Sequence, residues 1–169
     1  MDSSAVTTGN IIAAYFDSGC GNGYHKPLLP NPQSTIMSLR IIATGGTFDK
    51  HYNELTGILG FSDSHLPQVL ARTRMTIPVE LEVLPLLDSL DMKDDARQRV
   101  LASCRAAKEK SIVIVHGTDT MKETAEVLGN AGLEQAIVLT GAMIPYEIAN
   151  SDALFNLGFA TGVAQTLPP

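Results

Sequence analysis

Cysteine is scarce in this sequence, since only Cys20 and Cys104 occur in 169 residues and they lie far apart. A disulfide framework is therefore not expected, which fits the reducing cytoplasm. No apolar stretch approaches the roughly 20 residues that a membrane-spanning helix requires. The first residues are acidic, and the apolar segment at 11–16 is too short and too poorly flanked for a secretory signal. These absences predict a cytoplasmic protein.

Positive charge is also in deficit, because 12 lysines and arginines face 18 acidic residues and give a net charge of −6. This balance is unfavourable for nucleic acid or an anionic membrane, and we expect neither as a partner. No two of the four histidines stand at metal-ligand spacing, and neither cysteine has a partner nearby, so no metal site is expected. The histidines are His25, His51, His65 and His116.

Two regions differ in composition. Residues 1–36 are rich in Gly, Pro, Ser and Asn, which favours turns over regular elements, and we interpret them as an extension outside the fold. The alternative is an extra strand through residues 11–16. The 169-residue chain has the length and hydrophobic content of one domain with its own core, and we assign residues 37–169 to an α/β domain.

Short β-branched runs alternate with helical patterns from residue 39 onward. This alternation predicts an α/β fold, with an open, mainly parallel, flavodoxin-like or Rossmann-like sheet and helices on both faces. A polar loop is expected through residues 52–60. Asp91 is predicted as a helix N-cap, and residues 120–123 as a capping box. The predicted strands are 39–44, 81–84, 112–115 and 136–140; the predicted helices are 66–74, 93–108, 120–129 and 152–165.

Two of the predicted strands end in glycine followed by threonine. Gly45-Gly46-Thr47 follows the first, and Gly117-Thr118-Asp119 follows the third. Ligands collect outside the carboxyl ends of parallel strands, so Thr47, Thr118 and Asp119 are expected to face one crevice. Adjacent glycines can expose amide groups to an anion, but the spacing matches neither common nucleotide-binding pattern. Without a metal or a cysteine nucleophile, a threonine hydroxyl is the best candidate for attacking a carbonyl.

Each of these residues also has a purely structural interpretation. The Thr47 hydroxyl could bond the local backbone of its turn. Asp119 could favour the positive end of the following helix, although the capping box at Thr120 would leave its carboxylate free. Ser89 is equally compatible with a loop role and with binding of a substrate carboxylate or amine. His116 lies in an apolar run and is interpreted as a packed, neutral core residue without a catalytic role.

Four segments taken together resemble the amino-terminal domain of the L-asparaginase family. They are residues 43–48, 88–92, 116–124 and 140–143, in the family's order, and TGGT and HGTDT are its two signature motifs. The resemblance covers residues 38–169 and is strongest to compact single-domain bacterial members of the Rhodospirillum type. It implies hydrolysis of L-asparagine to L-aspartate and ammonia, without a cofactor, by a homo-oligomer.

The resemblance also implies roles for individual residues. Thr47 is similar to the nucleophile that attacks the side-chain amide, and Tyr52 to a mobile-loop tyrosine that assists it. Thr118 and Asp119 resemble the second catalytic pair, which positions water and binds the α-amino and carboxylate groups. Ser89 matches the serine that binds the α-carboxylate. The candidate substrate-binding set also contains three small residues at the strand ends: Gly46, Gly117 and Ala142.

The sequence departs from the family pattern in three places. Leu90 stands where a polar residue usually follows the serine. The family's lysine that partners the aspartate, and the carboxyl-terminal domain that completes the pocket from a neighbouring subunit, both lie beyond the matched segment. The chain is then either a compact variant or a truncated product. Other hypotheses are a glutaminase, the amidase subunit of a tRNA-dependent amidotransferase, and a catalytically silent domain that binds a small ligand such as an amino acid.

Overall fold

A computed structural model of the chain describes residues 3–8, 11–16 and 37–168. Its elements comprise strands, four α-helices and two short 3-10 turns, Thr47–Asp49 and Ser89–Asp91. The strands are β1 (Ser3–Thr8), β2 (Ile11–Phe16), β3 (Leu39–Gly45), β4 (His51–Asn53), β5 (Ile58–Gly60), β6 (Val79–Leu87), β7 (Ser111–Val115) and β8 (Ala136–Thr140). The helices are α1 (Leu66–Thr73), α2 (Asp94–Ala106), α3 (Met121–Gly129) and α4 (Ala153–Thr166).

The main sheet has the strand order β1-β2-β8-β7-β3-β6, and its last four strands are parallel to one another. Numbered along the chain, these four follow the order 2-1-3-4 from the β6 edge, which is the flavodoxin-like arrangement. The predicted fold class is confirmed. The strand order reverses between β3 and β7, and ligands of such sheets bind at that point. The two glycine-threonine turns follow these two strands.

Helices cover both faces of the parallel strands. One face packs β3, β7 and β8 against α1 and α4, through residues such as Ile41, Val113 and Leu157. The other face packs the same strands against α2 and α3, through residues such as Ile114 and Leu128. Because both faces are buried, the strands are continuous apolar runs, and β8 is buried along its whole length. This two-sided burial fixes the strand ends that carry the candidate site.

Residues 11–16 form a strand, as the alternative interpretation predicted. β2 pairs antiparallel with β8, with Ile11 opposite Thr140, and β1 pairs antiparallel with β2. The interpretation of all 36 residues as lying outside the fold is therefore wrong for these two strands. The remaining Gly- and Pro-rich stretch, including Cys20 and His25, lies outside the described residues. Among the described helices, none is long and apolar enough to span a bilayer.

Two segments differ from the predicted elements for identifiable reasons. β6 continues past Pro85, where the predicted strand ended, because β6 is the sheet's edge strand and the missing proline N–H is not needed for pairing there. The predicted polar loop contains the β4–β5 hairpin, whose turn includes Gly57 at φ 70°. The Asn53 side chain accepts hydrogen bonds from the amides of Leu55 and Thr56 and so stabilises that turn.

Both predicted helix caps are wrong. Helix α2 begins at Asp94 with Lys93 as its N-cap, and Asp91 lies in the preceding 3-10 turn, which Asp88 caps by accepting from the Leu90 amide. Thr120 is the N-cap of α3 by position, but its side chain makes no capping hydrogen bond. The hydroxyl of Thr120 serves a different contact, described below.

Candidate active site

The two glycine turns are in direct contact at the carboxyl edge of the sheet. A Cβ atom built on Gly46 would lie 2.4 Å from both the Cα and the N of Gly117. Gly46 has φ 72°, in the left-handed region that favours glycine. The strand ends are also linked by the Thr44 hydroxyl, which donates to the Val115 carbonyl over 3.0 Å. Only glycine at position 46 lets the two turns approach this closely.

This contact leads to a stability prediction for Gly46→Ala. Gly132→Ala is the matched control, because Gly132 also has positive φ (63°) but nothing lies within 4 Å of its hypothetical Cβ. The control should lose about 1–2 kcal/mol of unfolding free energy from backbone strain alone. Gly46→Ala adds a backbone clash, and its φ 72° with ψ −176° is a conformation essentially confined to glycine, so it should lose more in urea unfolding. Equal losses of unfolding free energy in the two variants would show that the Gly46 and Gly117 turns can move apart without destabilising the fold.

Ser89 and Asp119 are joined by a hydrogen bond, although they follow different strands. The Ser89 hydroxyl donates to Asp119 Oδ2 over 2.9 Å, and Ser89 is buried whereas Asp119 is exposed. A Cβ atom on Gly117 would lie 2.5 Å from the Ser89 Cβ, so the serine packs directly against that turn. The Thr120 hydroxyl donates to the Ser89 carbonyl over 2.7 Å and fixes the serine's backbone. Ser89 therefore contacts both the Gly117 turn and Asp119, and its role in substrate binding stays a prediction.

Thr47 and Thr118 are both half-buried and follow the two contacting glycines. Thr118 faces the loop after β8, since its hydroxyl points at Met143 Sδ over 3.8 Å. A Cβ atom on Gly141 would lie 3.3 Å from the Thr118 Cγ2, and Ala142 beside it is buried. The turn after β8 thus contacts Thr118, and Thr47 follows the glycine that contacts the Gly117 turn. The expectation that the two hydroxyls share one pocket stays a prediction.

Two residues that the sequence analysis did not single out hold the loop after β8. The Asp152 carboxylate accepts hydrogen bonds from the Met143 and Ile144 amides over 3.0–3.1 Å. Asn156 donates to the Gly141 carbonyl over 3.0 Å and to Asp152 Oδ2 over 2.8 Å. Burial raises the pKa of Asp152, but these hydrogen bonds outweigh it and the pKa lies below its usual value. In the sequence, Asp152 is visible only as an acidic residue at the start of a predicted helix. That position alone does not identify the groups that its side chain bonds.

Lys50 is a second feature that the sequence analysis did not identify. Its ammonium pairs with the Asp88 carboxylate, which lies next to Ser89 in the chain. The hydrogen bond from Lys50 is the main reason that the pKa of Asp88 lies below its usual value. The pair ties the Thr47–Asp49 turn to the Ser89–Asp91 turn and places a cation at the edge of the site.

Tyr52 lies on β4 and is about half exposed. Its amide donates to Glu147 Oε1, so the strand is attached to the loop after β8. The tyrosine hydroxyl lies near Gly57, in the turn of its own hairpin. Tyr52 is therefore positioned on a hairpin that follows Thr47, with its hydroxyl directed toward the hairpin turn.

His116 is a packed core residue, as expected. Its Nδ1 is 2.7 Å from the Gly117 carbonyl, which can only accept, so Nδ1 carries the proton. Its Nε2 is 2.8 Å from the Thr124 hydroxyl and can accept from it. Burial lowers the pKa of His116 and keeps the ring neutral.

The buried Cys104 thiol is unreactive, because burial raises its pKa to about 12.

The structure brings together two histidines that residue spacing did not pair. His51 and His65, too far apart along the chain for a local motif, contact each other with ring centroids 4.0 Å apart. Together with Glu147 they form a cluster whose ligand atoms all lie within 4.8 Å of one another. Residue spacing does not reveal this cluster, because its three members come from a strand, a helix start and a distant loop.

The profile of the family described as "Asparaginase, N-terminal" matches residues 38–168. The chain belongs to the asparaginase family. This asparaginase-family chain is 33% identical over 141 residues to L-asparaginase 1 of Escherichia coli strain K12, which covers 78% of the chain and 41% of that protein. It is 31% identical over 151 residues to a glutamyl-tRNA(Gln) amidotransferase subunit of Aeropyrum pernix, covering 84% of the chain and 35% of that protein.

A solved structure shows the same similarity. The thermostable L-asparaginase from Thermococcus kodakarensis superposes with a TM-score of 0.69 at 29% identity, covering 79% of this chain and 42% of that one. The asparaginase-family chain thus spans less than half the length of each of these relatives. Because these relatives are longer, the assignment to the compact single-domain type stays a prediction.

Proposed function

We propose that this chain carries the nucleophile half of an amidohydrolase site that converts L-asparagine to L-aspartate and ammonia. The observation that carries the proposal is the contact between the Gly46 and Gly117 turns at the switch point of the sheet. It brings the residues that follow, Thr47 and Thr118, to one edge together with the bonded pair Ser89 and Asp119. Family membership supports the reaction class.

In the proposed reaction the Thr47 hydroxyl oxygen attacks the side-chain amide carbon. Amides of the glycine turn stabilise the resulting oxyanion, a type of contact worth about 3–4 kcal/mol in other enzymes. The C–N bond breaks, ammonia leaves with the threonine's proton, and an ester to Thr47 remains. Water positioned by Thr118 and Asp119 then cleaves the ester and releases aspartate. Tyr52 is the proposed acceptor of the Thr47 proton, which requires its hairpin to move, because its hydroxyl now lies near Gly57.

Ser89 and Asp119 are proposed to bind the amino-acid part of the substrate. The exposed Asp119 carboxylate suits the α-ammonium group, and the Ser89 hydroxyl suits the α-carboxylate. In the unliganded arrangement the serine donates its hydrogen to Asp119. Substrate binding would turn that hydrogen toward the α-carboxylate, while the ammonium group takes the vacated position on Asp119. Gly46, Gly117 and Ala142 allow close approach of the backbone.

We also propose that the working protein is a cytoplasmic homo-oligomer that uses no cofactor and binds neither nucleic acid nor membrane. Exposed apolar side chains on α4 support an assembled state, since Phe155 and Phe159 stack on each other with 75% and 50% of their surfaces exposed. Burial of such a face is usual in oligomer interfaces. The buried free thiol of Cys104 suits a reducing compartment.

A second candidate is the amidase of a tRNA-dependent amidotransferase, with L-glutamine as the ammonia source. The observation that favours it is the 31% identity to the amidotransferase chain of Aeropyrum pernix. The excess of acidic residues weighs against direct contact of this chain with tRNA. A catalytically silent amino-acid-binding domain is the third hypothesis.

Ammonia release separates these hypotheses. The purified chain is incubated with L-asparagine or L-glutamine, ammonia is followed by a coupled enzyme assay, and binding of each amino acid is measured by calorimetry. We expect ammonia from L-asparagine and less from L-glutamine. The reverse preference would support the amidotransferase hypothesis. Binding without ammonia from either substrate would contradict the proposed hydrolysis and support a binding domain.

A further inference from the structure

A cluster of three metal-binding side chains lies beside the candidate active site. His51 is on β4, His65 is the N-cap residue of α1, and Glu147 is in the loop after β8. His51 Nδ1 is 3.2 Å from Glu147 Oε2, and His65 Nε2 is 4.0 Å from the same oxygen. One carboxylate oxygen thus faces two imidazole nitrogens.

The hydrogen bonds of His51 leave a lone pair directed at this carboxylate. His51 Nε2 lies 2.8 Å from the Asp63 carbonyl, which can only accept, so Nε2 must carry a proton. In the neutral ring Nδ1 is then an acceptor, yet it faces Glu147 Oε2, which is also an acceptor. Two acceptors at 3.2 Å repel unless a cation lies between or on them. That cation is either an added proton on His51 or a metal ion.

His65 decides between these possibilities, because its nitrogen is buried without a partner. The residue is 7% exposed, and its Nε2 has no hydrogen-bond partner. A proton on His51 would satisfy the His51–Glu147 pair but would leave this nitrogen unsatisfied. An orphaned buried nitrogen of this kind destabilises the folded state. A single ion bound to all three residues would satisfy every one of the facing atoms.

We infer that His51 Nδ1, His65 Nε2 and the Glu147 carboxylate form a binding site for Zn²⁺ or a similar divalent transition-metal ion. Two histidines and one carboxylate are a donor set that zinc uses where it keeps one position open. Ligands at about 2.0–2.1 Å in tetrahedral geometry stand roughly 3.4 Å apart. The 3.2 Å between His51 Nδ1 and Glu147 Oε2 is close to this spacing, and the 4.0 Å from His65 Nε2 to the same oxygen would shorten on binding. Two hydrogen bonds also orient the proposed ligands. The Asp63 carbonyl accepts from the His51 ring, and the Tyr52 amide donates to the Glu147 carboxylate.

The ion would join the β4–β5 hairpin to the loop after β8. Without an ion, Glu147 holds the hairpin through the Tyr52 amide. A metal ion would keep that hydrogen bond and add coordinate bonds from His51 and Glu147, which would restrain the hairpin that carries Tyr52. This inference concerns binding of the ion and does not depend on the proposed hydrolysis.

The test is titration of the full chain, prepared without a polyhistidine tag, with Zn²⁺ alone. Calorimetry should show one ion per chain, and the melting temperature should rise with metal concentration. Mg²⁺, which prefers oxygen ligands, should produce neither effect. His65→Gln and Glu147→Gln should each weaken Zn²⁺ binding by about 10–100-fold or more, as loss of metal-supporting groups does.

Matched controls are Glu134→Gln, which removes an exposed carboxylate that pairs with Lys110, and His25→Gln, which removes a histidine that is not one of the three proposed ligands. Both should bind Zn²⁺ as the wild type does. Far-UV circular dichroism of each metal-free variant checks that it is folded. The inference fails if the wild type takes up no Zn²⁺, or if uptake is unchanged in both cluster variants. Equal weakening in His25→Gln would also overturn it, because the site would then lie elsewhere.

Discussion

Replacement of Thr47 by alanine should lower kcat/KM for ammonia release from L-asparagine by about 10³-fold or more relative to the wild-type chain. Loss of an attacking hydroxyl has effects of this size or larger in other covalent hydrolases. The fold should survive, because Thr47 is half-buried at the start of a 3-10 turn, and the turn's hydrogen bond from the Lys50 amide is accepted by the Thr47 backbone carbonyl, which alanine retains. Binding of L-asparagine should therefore persist.

Two further variants sharpen this test. Thr47→Ser keeps a hydroxyl at the same position and should retain part of the activity. Thr73→Ala removes an exposed hydroxyl that bonds only the Leu70 carbonyl of its own helix, and activity should not change. Mass spectrometry of the acid-quenched wild type should find an aspartyl ester on the peptide containing Thr47. Retention of ammonia release in Thr47→Ala, or an ester on the Thr118 peptide instead, would contradict the assigned nucleophile.

The parallel core was predictable from the sequence because burial on both faces leaves an unambiguous pattern. β8 consists of five buried residues at the predicted positions, Ala136–Thr140. The turns after β3 and β7 followed from this, since glycine after a buried strand marks the edge where ligands bind. Two of the four catalytic candidates, Thr47 and Thr118, were placed at these strand ends by that reasoning.

Other features were not predictable because they depend on partners distant in sequence. The exposed strands of the β4–β5 hairpin have three residues each, too few for an alternating pattern. The capping-box prediction assumed that the Thr120 hydroxyl accepts a hydrogen bond from an amide of its own helix, but the hydroxyl instead donates to the carbonyl of Ser89 on another turn. The contact of His51 with His65 depends on the path of the chain between them, which residue spacing cannot reveal.

Asp119→Asn should reduce kcat/KM by about 10²–10³-fold with little change in melting temperature. The asparagine side chain removes the negative charge that the proposed site offers to the substrate ammonium. The expected fall in kcat/KM is of the size that positioned acid–base groups contribute in other enzymes. Stability should be retained because asparagine Oδ1 can still accept the Ser89 hydrogen bond, and the residue is exposed. KM should rise along with the fall in kcat, since the same carboxylate is proposed to bind substrate and to position water.

Asp95→Asn is the matched control for this variant. It makes the same change in net charge on the exposed first turn of α2, where Asp95 pairs only with Arg99 within the helix. Its kcat/KM should equal that of the wild type. A similar loss of activity in Asp95→Asn would indicate a general charge effect. A large drop in melting temperature for Asp119→Asn would instead make Asp119 a structural residue of the Ser89 contact, because the hydrogen bond would then require a full carboxylate.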